Sequence, residues 1–486
     1  MSSVPSSRNK AARLALAALL AWCVGGAVSA HALDPEGPAP RRLALSECLS
    51  IALENNRTRP VSRLNVEIAE AQLKQALSSY WPQAGVKSAL TRMDEDPNFI
   101  YPGSSIPIAG FTIPIPGSPI TVPGQTVRVP DQKFKLMDRD TWTTSADIVY
   151  PLYTGGLRPA LVKQAESGVA AARQEVRRTD LQVAYDVKRF YYGAVLAKSL
   201  RGIASDTLER MEVTLDLTER LYKGGSTKVR KTDYLRNKTA VEGLRSTFAL
   251  MKGMERLAVA ALTNAVGMDW DASIDVSETE IPFRPQGDDL RKFVSGAYSF
   301  NPDWKRMEEG IKAAEAQVDE KKSGHLPRLA LVGRLSHIEN SYDQGIVTPE
   351  NKDSWMGGIV MELPLFNGFR TRNEVREAGA RLEKMWLQKV LLGEGIALQV
   401  KDAFLRMERS RDQRQAMSDA ARTAEENRDL NERAYRDEFV ETKDVIEAQL
   451  VESYMKAGSE MVLYDHAEAQ ARLEFVVGSG IEGMLQ

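Results

Sequence analysis

Two stretches of this chain share one hydrophobic pattern. In the first, Trp142, Ala146, Ile148 and Tyr150 alternate with Thr143, Ser145 and Asp147; in the second, Trp355, Ile359, Met361 and Leu363 lie on one parity and Glu362 on the other. Period two with one apolar face predicts a β-strand. Each alternation ends at a matching junction: Pro151, Leu152, Tyr153, Thr154, Gly155 in one copy and Pro364, Leu365, Phe366, Asn367, Gly368 in the other. Helical periodicity then takes over, with no proline from residue 160 to 281 or from 365 to 486. Punctuation interrupts each run midway, at Lys223, Gly224, Gly225, Ser226 and at Arg436, Asp437, Glu438, Phe439. Each run therefore predicts a long helical hairpin, over 156–266 and 368–477.

The duplication extends upstream. Helical periodicity over 45–80, with Pro60 in its first turns, ends at Pro82; that over 290–326 ends at Pro327. At one constant offset Leu45 meets Leu290, Asn56 meets Asn301, and Ala69, Glu70, Ala71, Gln72 meet Ala314, Glu315, Ala316, Gln317. A further alternating segment follows each proline. Val86 and Leu90 oppose Gln83, Lys87 and Thr91, while Leu329, Leu331 and Leu335 oppose Arg328, Arg334 and Ser336. The reading is two structural repeats, 33–266 and 290–486, joined by a linker at 267–289. Strands are expected near 83–93, 141–152, 328–338 and 354–366.

Strands of this kind, apolar on one face and polar on the other, suit a transmembrane β-barrel. Trp142, Tyr150, Trp355 and Phe366 sit near strand ends, where interfacial aromatic girdles belong. Four strands cannot close a barrel, which starts at about eight; two chains would give eight and three would give twelve, enough for a channel. A helix as long as 156–222 would be a rod of roughly 100 Å at about 1.5 Å per residue. Such a rod must bury its apolar stripe against other rods, in a coiled-coil barrel. The two halves differ at 94–140 of the first, where Pro102, Pro107, Pro114, Pro116, Pro119, Pro123 and Pro130 predict a loop. Ile106, Ile108, Phe111, Ile113 and Ile115 leave open a folded flap over the barrel mouth, against a mobile surface loop.

Composition adds the compartment. Arg8, Lys10 and Arg13 precede an apolar run over 14–24 and small residues at Val28, Ala30 and Ala32, the layout of a signal peptide over 1–32. Near-equal counts, 64 basic and 66 acidic residues, give no sign of a nucleic-acid partner. Beyond the leader, Cys48 is the one cysteine and is expected to be a buried, inert thiol.

Taken with their order and spacing, the duplication, the repeated Ala-Glu-Ala-Gln, the paired junctions and the segment 435–448 resemble the TolC-type outer-membrane efflux proteins. The resemblance covers most of the chain past the leader. It implies a fold that is mainly α with membrane β: a homotrimer whose 12-stranded β-barrel continues into a long α-helical coiled-coil barrel. It implies an outer-membrane exit channel reaching into the periplasm, embedded in outer-membrane lipid. Its partners would be a periplasmic adaptor, docked at hairpin tips formed by Gly224, Gly225, Lys228, Arg230, Glu438 and Phe439, and an inner-membrane transporter. Asp444 and Glu447 then fall on the acidic ring of the pore aperture, and Thr232, Asp233 and Tyr435 on the gate contacts. Two positions depart from the family: Glu438 replaces its tip glycine and Val440 its gate arginine, and the first tip reads two residues longer than the second.

The tips carry opposite charge. Over 223–234 Lys223, Lys228, Arg230 and Lys231 outnumber Asp233, whereas 436–447 carries five acids against Arg436 and Lys443. A salt-sensitive electrostatic latch between them is expected, weak because exposed pairs contribute about 0–1 kcal/mol each. No catalytic constellation is legible, and neither enzyme activity nor a cofactor or metal is expected. His325, His337 and His466 are dispersed, and the Gly-x-Gly-x-x-Gly at 478–483 lies at the chain end with no following unit. Two other readings stand beside the efflux channel: the outer channel of a type I protein secretion system, and a soluble periplasmic coiled-coil scaffold.

Overall fold

The computed structural model describes residues 40–285 and 289–479. The expected signal peptide, and the glycine-rich end beyond Ser479, lie outside them. Among the described residues no helix is long and apolar enough to cross a membrane.

The repeat is visible as element lengths. In the first half α1 (Leu45–Asn55), α2 (Thr58–Ser78), α3 (Leu157–Lys223) and α4 (Lys231–Val266) have 11, 21, 67 and 36 residues. In the second half α5 (Leu290–Phe300), α6 (Pro302–Lys322), α7 (Arg370–Arg436) and α8 (Thr442–Val477) have the same four lengths. The upstream helical stretch is thus two helices in each copy, broken at Asn56 and at Asn301. Both asparagines are extended there and turn the chain. Asn301 Oδ1 accepts from the backbone N–H groups of Asp303 and Trp304, capping α6, while its Nδ2 donates to the Val476 carbonyl at 2.7 Å. Asn56 Oδ1 accepts from Thr58 N–H at the start of α2, and its Nδ2 donates to the Ala265 carbonyl at 2.9 Å. Each asparagine therefore ties a helix corner to the last turn of the returning long helix. Directly after those last turns come Gly267 and Gly478, at φ +81° and +84°, where a Cβ would meet the same corner's backbone within 3 Å.

The first short strand, β1 (Arg41–Leu43), pairs in parallel with β10 (Ile274–Val276), which lies between the halves. Leu43, Cys48, Val187, Tyr191, Leu262 and Val266 form one hydrophobic cluster with this pair; Phe293, Val400, Phe404, Leu473 and Val477 form a second, and Met211, Val241, Leu244 and Ile446 a small third. Cys48 is fully buried, and burial pushes its thiol up to about 11.

Four strands make the sheet: β2 (Gln83–Arg92), β9 (Asp140–Tyr153), β11 (Arg328–Asn340) and β12 (Asp353–Glu362). They are antiparallel in the order β12-β11-β9-β2, which leaves β12 and β2 as unpaired edges. Register decides the faces. Directly opposed residues share a face. One face carries the rows Val86–Ala146–Leu335–Trp355, Tyr150–Leu331–Ile359 and Leu90–Trp142–Glu339. The other carries Gly85–Asp147–Arg334–Met356 and Lys87–Ser145–Ser336–Ser354, with Arg334 paired to Asp147. The strand ending in the second junction is shorter than its pattern suggested: β12 stops at Glu362, since Pro364 brings no N–H. Phe366 therefore lies past the strand, its ring edge-on to Phe369 at 5.4 Å.

The segment 94–140 is not a loop. It holds β3 (Asn98–Tyr101), β4 (Ser104–Ile108), β5 (Phe111–Ile113), β6 (Ile120–Val122), β7 (Gln125–Val129) and β8 (Gln132–Lys135), paired as β3-β8, β4-β7 and β5-β6. Its prolines fall mostly between the strands, where they divide one long hairpin into three short ladders.

Candidate functional site

The two helical hairpins turn at neighbouring tips. The first turn takes residues 224–230 and the second 437–441, so the first is two residues longer. Gly225 occupies the left-handed region at φ +78°, whereas Gly224 is right-handed at −75° and closes α3. In the second tip Glu438 takes the left-handed place at φ +57°. A residue with a Cβ is strained there.

The aspartates at the starts of the return helices are caps. Asp233 Oδ2 accepts from Arg230 N–H at 3.0 Å, and Asp444 Oδ2 accepts from Glu441 N–H at 3.1 Å. Negative charge in a first turn also faces the positive end of the helix dipole. Glu447, one turn on, is exposed, as is Thr232. Of the expected gate residues, Tyr435 reaches the other hairpin, but not at Thr232 or Asp233.

Tyr435 instead anchors a buried hydroxyl cluster in which four helices meet. Its Oη lies 2.8 Å from Thr218 Oγ1 on α3 and 2.9 Å from Thr442 Oγ1 on α8, while Asn237 Nδ2 on α4 donates to Thr218 Oγ1 at 3.1 Å. All four side chains are buried. Further from the tip, Gln449 Nε2 donates to Thr214 Oγ1 at 3.1 Å and to Glu432 Oε1 at 2.8 Å. Next come Arg428 and Glu452 at 2.9 Å, both buried, with Lys456 bridging Glu452 and Glu425. From Thr442 to Lys456, roughly 20 Å of helix at about 1.5 Å per residue, buried polar pairs recur along α8 where it faces α3 and α7. Tyr435's repeat counterpart behaves differently: Tyr222 stays partly exposed and stacks on Tyr234 at 6.1 Å.

Between the tips the contact is sparse. Ser226 Oγ donates to Glu438 Oε2 at 2.9 Å, and Lys228 Nζ donates to the Glu438 carbonyl oxygen at 2.7 Å. Two other tip cations pair within their own hairpin, Lys223 with Glu219 and Lys443 with Glu441. Glu438, rather than a general attraction of opposite charges, joins the tips. Phe439 beside it is 80% exposed, an unpaired apolar side chain at the molecule's extremity.

Sequence reasoning singled out Tyr435 as a gate contact with Thr232 and Asp233, but not the residues it meets, Thr218, Asn237 and Thr442. A buried threonine or asparagine leaves no periodic signal. The capping role of Asp233 and Asp444 was readable, since each stands three residues past the residue that precedes its helix.

Known proteins share the fold. The family model described as outer membrane efflux protein matches residues 48–268 and 294–479. Protein CyaE of Bordetella pertussis is 26% identical over 266 residues, covering 54% of this chain and 55% of its own length. The probable efflux pump outer membrane protein TtgC of Pseudomonas putida is 22% identical over 328 residues, covering 67% of this chain and 60% of its own. This chain thus spans little more than half the length of those curated relatives. Among solved structures, the Campylobacter jejuni CmeC outer membrane channel superposes with a TM-score of 0.71 at 15% identity, over 90% of this chain and 86% of that one.

Proposed function

The chain belongs to the outer membrane efflux protein family, and from that premise we propose that it is the outer-membrane exit duct of a tripartite efflux assembly. The observation that carries this reading is the sheet. One face is mainly apolar, interrupted by the row Ser88–Thr144–His337–Asp353 and by Glu339, the other is lined by Lys87, Asp147, Arg334 and serines, and both edges lack partners. A membrane-spanning sheet must close. Three copies supply the missing partners around a water-filled lumen, with the polar face inward. A soluble scaffold has no use for such a face.

From the barrel, α3 and α7 carry the duct across the periplasm for roughly 100 Å, at about 1.5 Å per residue. Trp142, Tyr150, Trp355 and Phe366 serve the membrane boundaries. The tips, with Gly224, Gly225, Lys228, Arg230, Glu438 and exposed Phe439, are the docking surface for a periplasmic adaptor, which links the duct to an inner-membrane transporter. Near the tips the duct narrows; Glu447 and the free oxygen of Asp444 give its aperture a cation preference, and Thr232 and Asp233 stand beside it. The Tyr435 cluster replaces the absent arginine as the tie that holds the gate shut. Its polar contacts, set beside the small apolar cluster of Met211, Val241, Leu244 and Ile446, exchange protein partners for water at low cost when the helices part. Chemistry has no part in the role, since the protein conducts what the transporter delivers.

Purified protein in detergent should be a heat-modifiable trimer that inserts into planar bilayers and conducts in uniform steps. A monomer that never conducts would rule the channel out.

A further inference from the structure

The strand pair β2-β9 does not end with the sheet. Beyond Arg92 and Asp140 the same two strands continue, holding one register from Asn98↔Lys135 through Ser104↔Val129 to Phe111↔Val122. Each break removes equal lengths from both strands, Pro102 and Gly103 opposite Pro130 and Asp131, then Ala109 and Gly110 opposite Pro123 and Gly124. This is one jointed arm. At the joints the strands press backbone on backbone: a Cβ on Gly103 would lie 2.5 Å from the Val129 carbonyl oxygen, and one on Gly110 2.6 Å from Gly124 N.

The arm's root is fixed. Asn340 donates to the carbonyls of Asp138 and Asp140 at 3.0 and 3.1 Å and accepts from Asp138 N–H at 2.8 Å; Lys135 pairs with Asp96 at 2.9 Å. Past the root the arm strands pair only with one another among the described residues, and a lone two-stranded ribbon is marginal in water. Each ladder turns apolar pairs to one of its own two faces, Phe99 with Phe134, Ile106 with Val127, Phe111 with Val122. All six are between about a third and three-fifths exposed. Residues 97–127 contain no charge at all, so the usual protection of an exposed edge by charged side chains is missing. The returning strands carry Arg128 and Lys133, but opposite Ser105 and Ile100, on the faces away from the apolar pairs, so identical arms can meet through those pairs without like-charge repulsion. They are also neighbours, because the arm grows from β2, the edge strand that must pair with the next chain.

We propose that the arms of neighbouring protomers pack on one another through these apolar faces, forming a β-walled extension above the barrel mouth. This rests on the trimeric channel reading. The occupant of each arm's apolar face is thus a second copy of the same chain.

Single cysteines introduced into the full-length protein in nanodiscs test it: Ile106→Cys on an apolar face and Arg128→Cys, opposite Ser105, on the other face of the same ladder. Native Cys48 is buried and unreactive, so the background is silent. A short bismaleimide should convert Ile106→Cys chains into covalent dimers several-fold more than Arg128→Cys chains. A trimer by light scattering in which Ile106→Cys does not cross-link overturns the arm proposal alone. So does a bimane on Ile106→Cys that spin-labelled lipids quench, which would lay the arm on the membrane. Absence of a trimer removes both the arm proposal and the channel reading beneath it.

Discussion

The hydroxyl of Tyr435 lies 2.8 Å from Oγ1 of Thr218, and the two residues belong to different halves of the duplication. Internal symmetry is broken here. Tyr222, the counterpart of Tyr435, remains partly exposed beside Tyr234, while Tyr435 is buried among three polar side chains from three other helices. The two hairpins are therefore joined by buried hydrogen bonds at Tyr435 and not at Tyr222.

Asn301→Ala removes the one cap acceptor that takes two backbone hydrogen bonds, and the donor to the Val476 carbonyl, from a buried site. A lost cap costs about 1 kcal/mol and an unmet buried carbonyl about 1–3 more. Thermal unfolding should show a clear fall in Tm. Asn56→Ala, at a more exposed corner, should show a smaller one; equal losses would mean the corners are not anchored as described.

Asp444 and Glu447 should separate. Asp444→Ala takes away a helix cap and should destabilise the tip by about 1 kcal/mol, seen as faster amide exchange over 437–446. Glu447→Gln breaks no contact of that kind and should leave exchange unchanged while lowering cation over anion selectivity in reversal-potential measurements. If selectivity ignores Glu447, the aperture is not where these acids stand.

Much of this was legible in the chain. Period-two alternation fixed which strand residues share a face, because opposed residues in an antiparallel pair keep that parity whatever the tilt. Constant offsets found the repeat. The arm was not legible: strands of three to five residues between prolines and glycines carry too little alternation to outweigh punctuation. Asn56 and Asn301 were visible as a pair, yet the apolar spacing runs on across each break and hides the turn. Thr218, Asn237 and Thr442 meet Tyr435 only through the packing of four helices, which no single helix encodes.

Burial raises the carboxyl pKa of Glu460, with nearby Glu280 adding to the rise and a hydrogen bond from Ser199 opposing it. A folded-state pKa above the unfolded one makes the folded chain bind its proton more tightly. Stability from this group is then greatest below the unfolded carboxylate pKa and is lost as pH rises through the folded value. Glu460→Gln should accordingly raise Tm at pH 8 and leave it nearly unchanged at pH 4. An equal shift at both would assign the effect to packing.

The gate is tested most directly by single-channel recording of the reconstituted trimer, comparing the unmodified protein with Tyr435→Phe and Thr218→Val. Each change deletes buried hydroxyl bonds worth about 1 kcal/mol apiece, so weakening the closed state by about 1–2 kcal/mol should raise the open population roughly 5- to 30-fold. Tyr222→Phe, outside the cluster, should leave it unchanged. Open populations that are the same in all four proteins would contradict the claim that Tyr435 and Thr218 hold the duct shut.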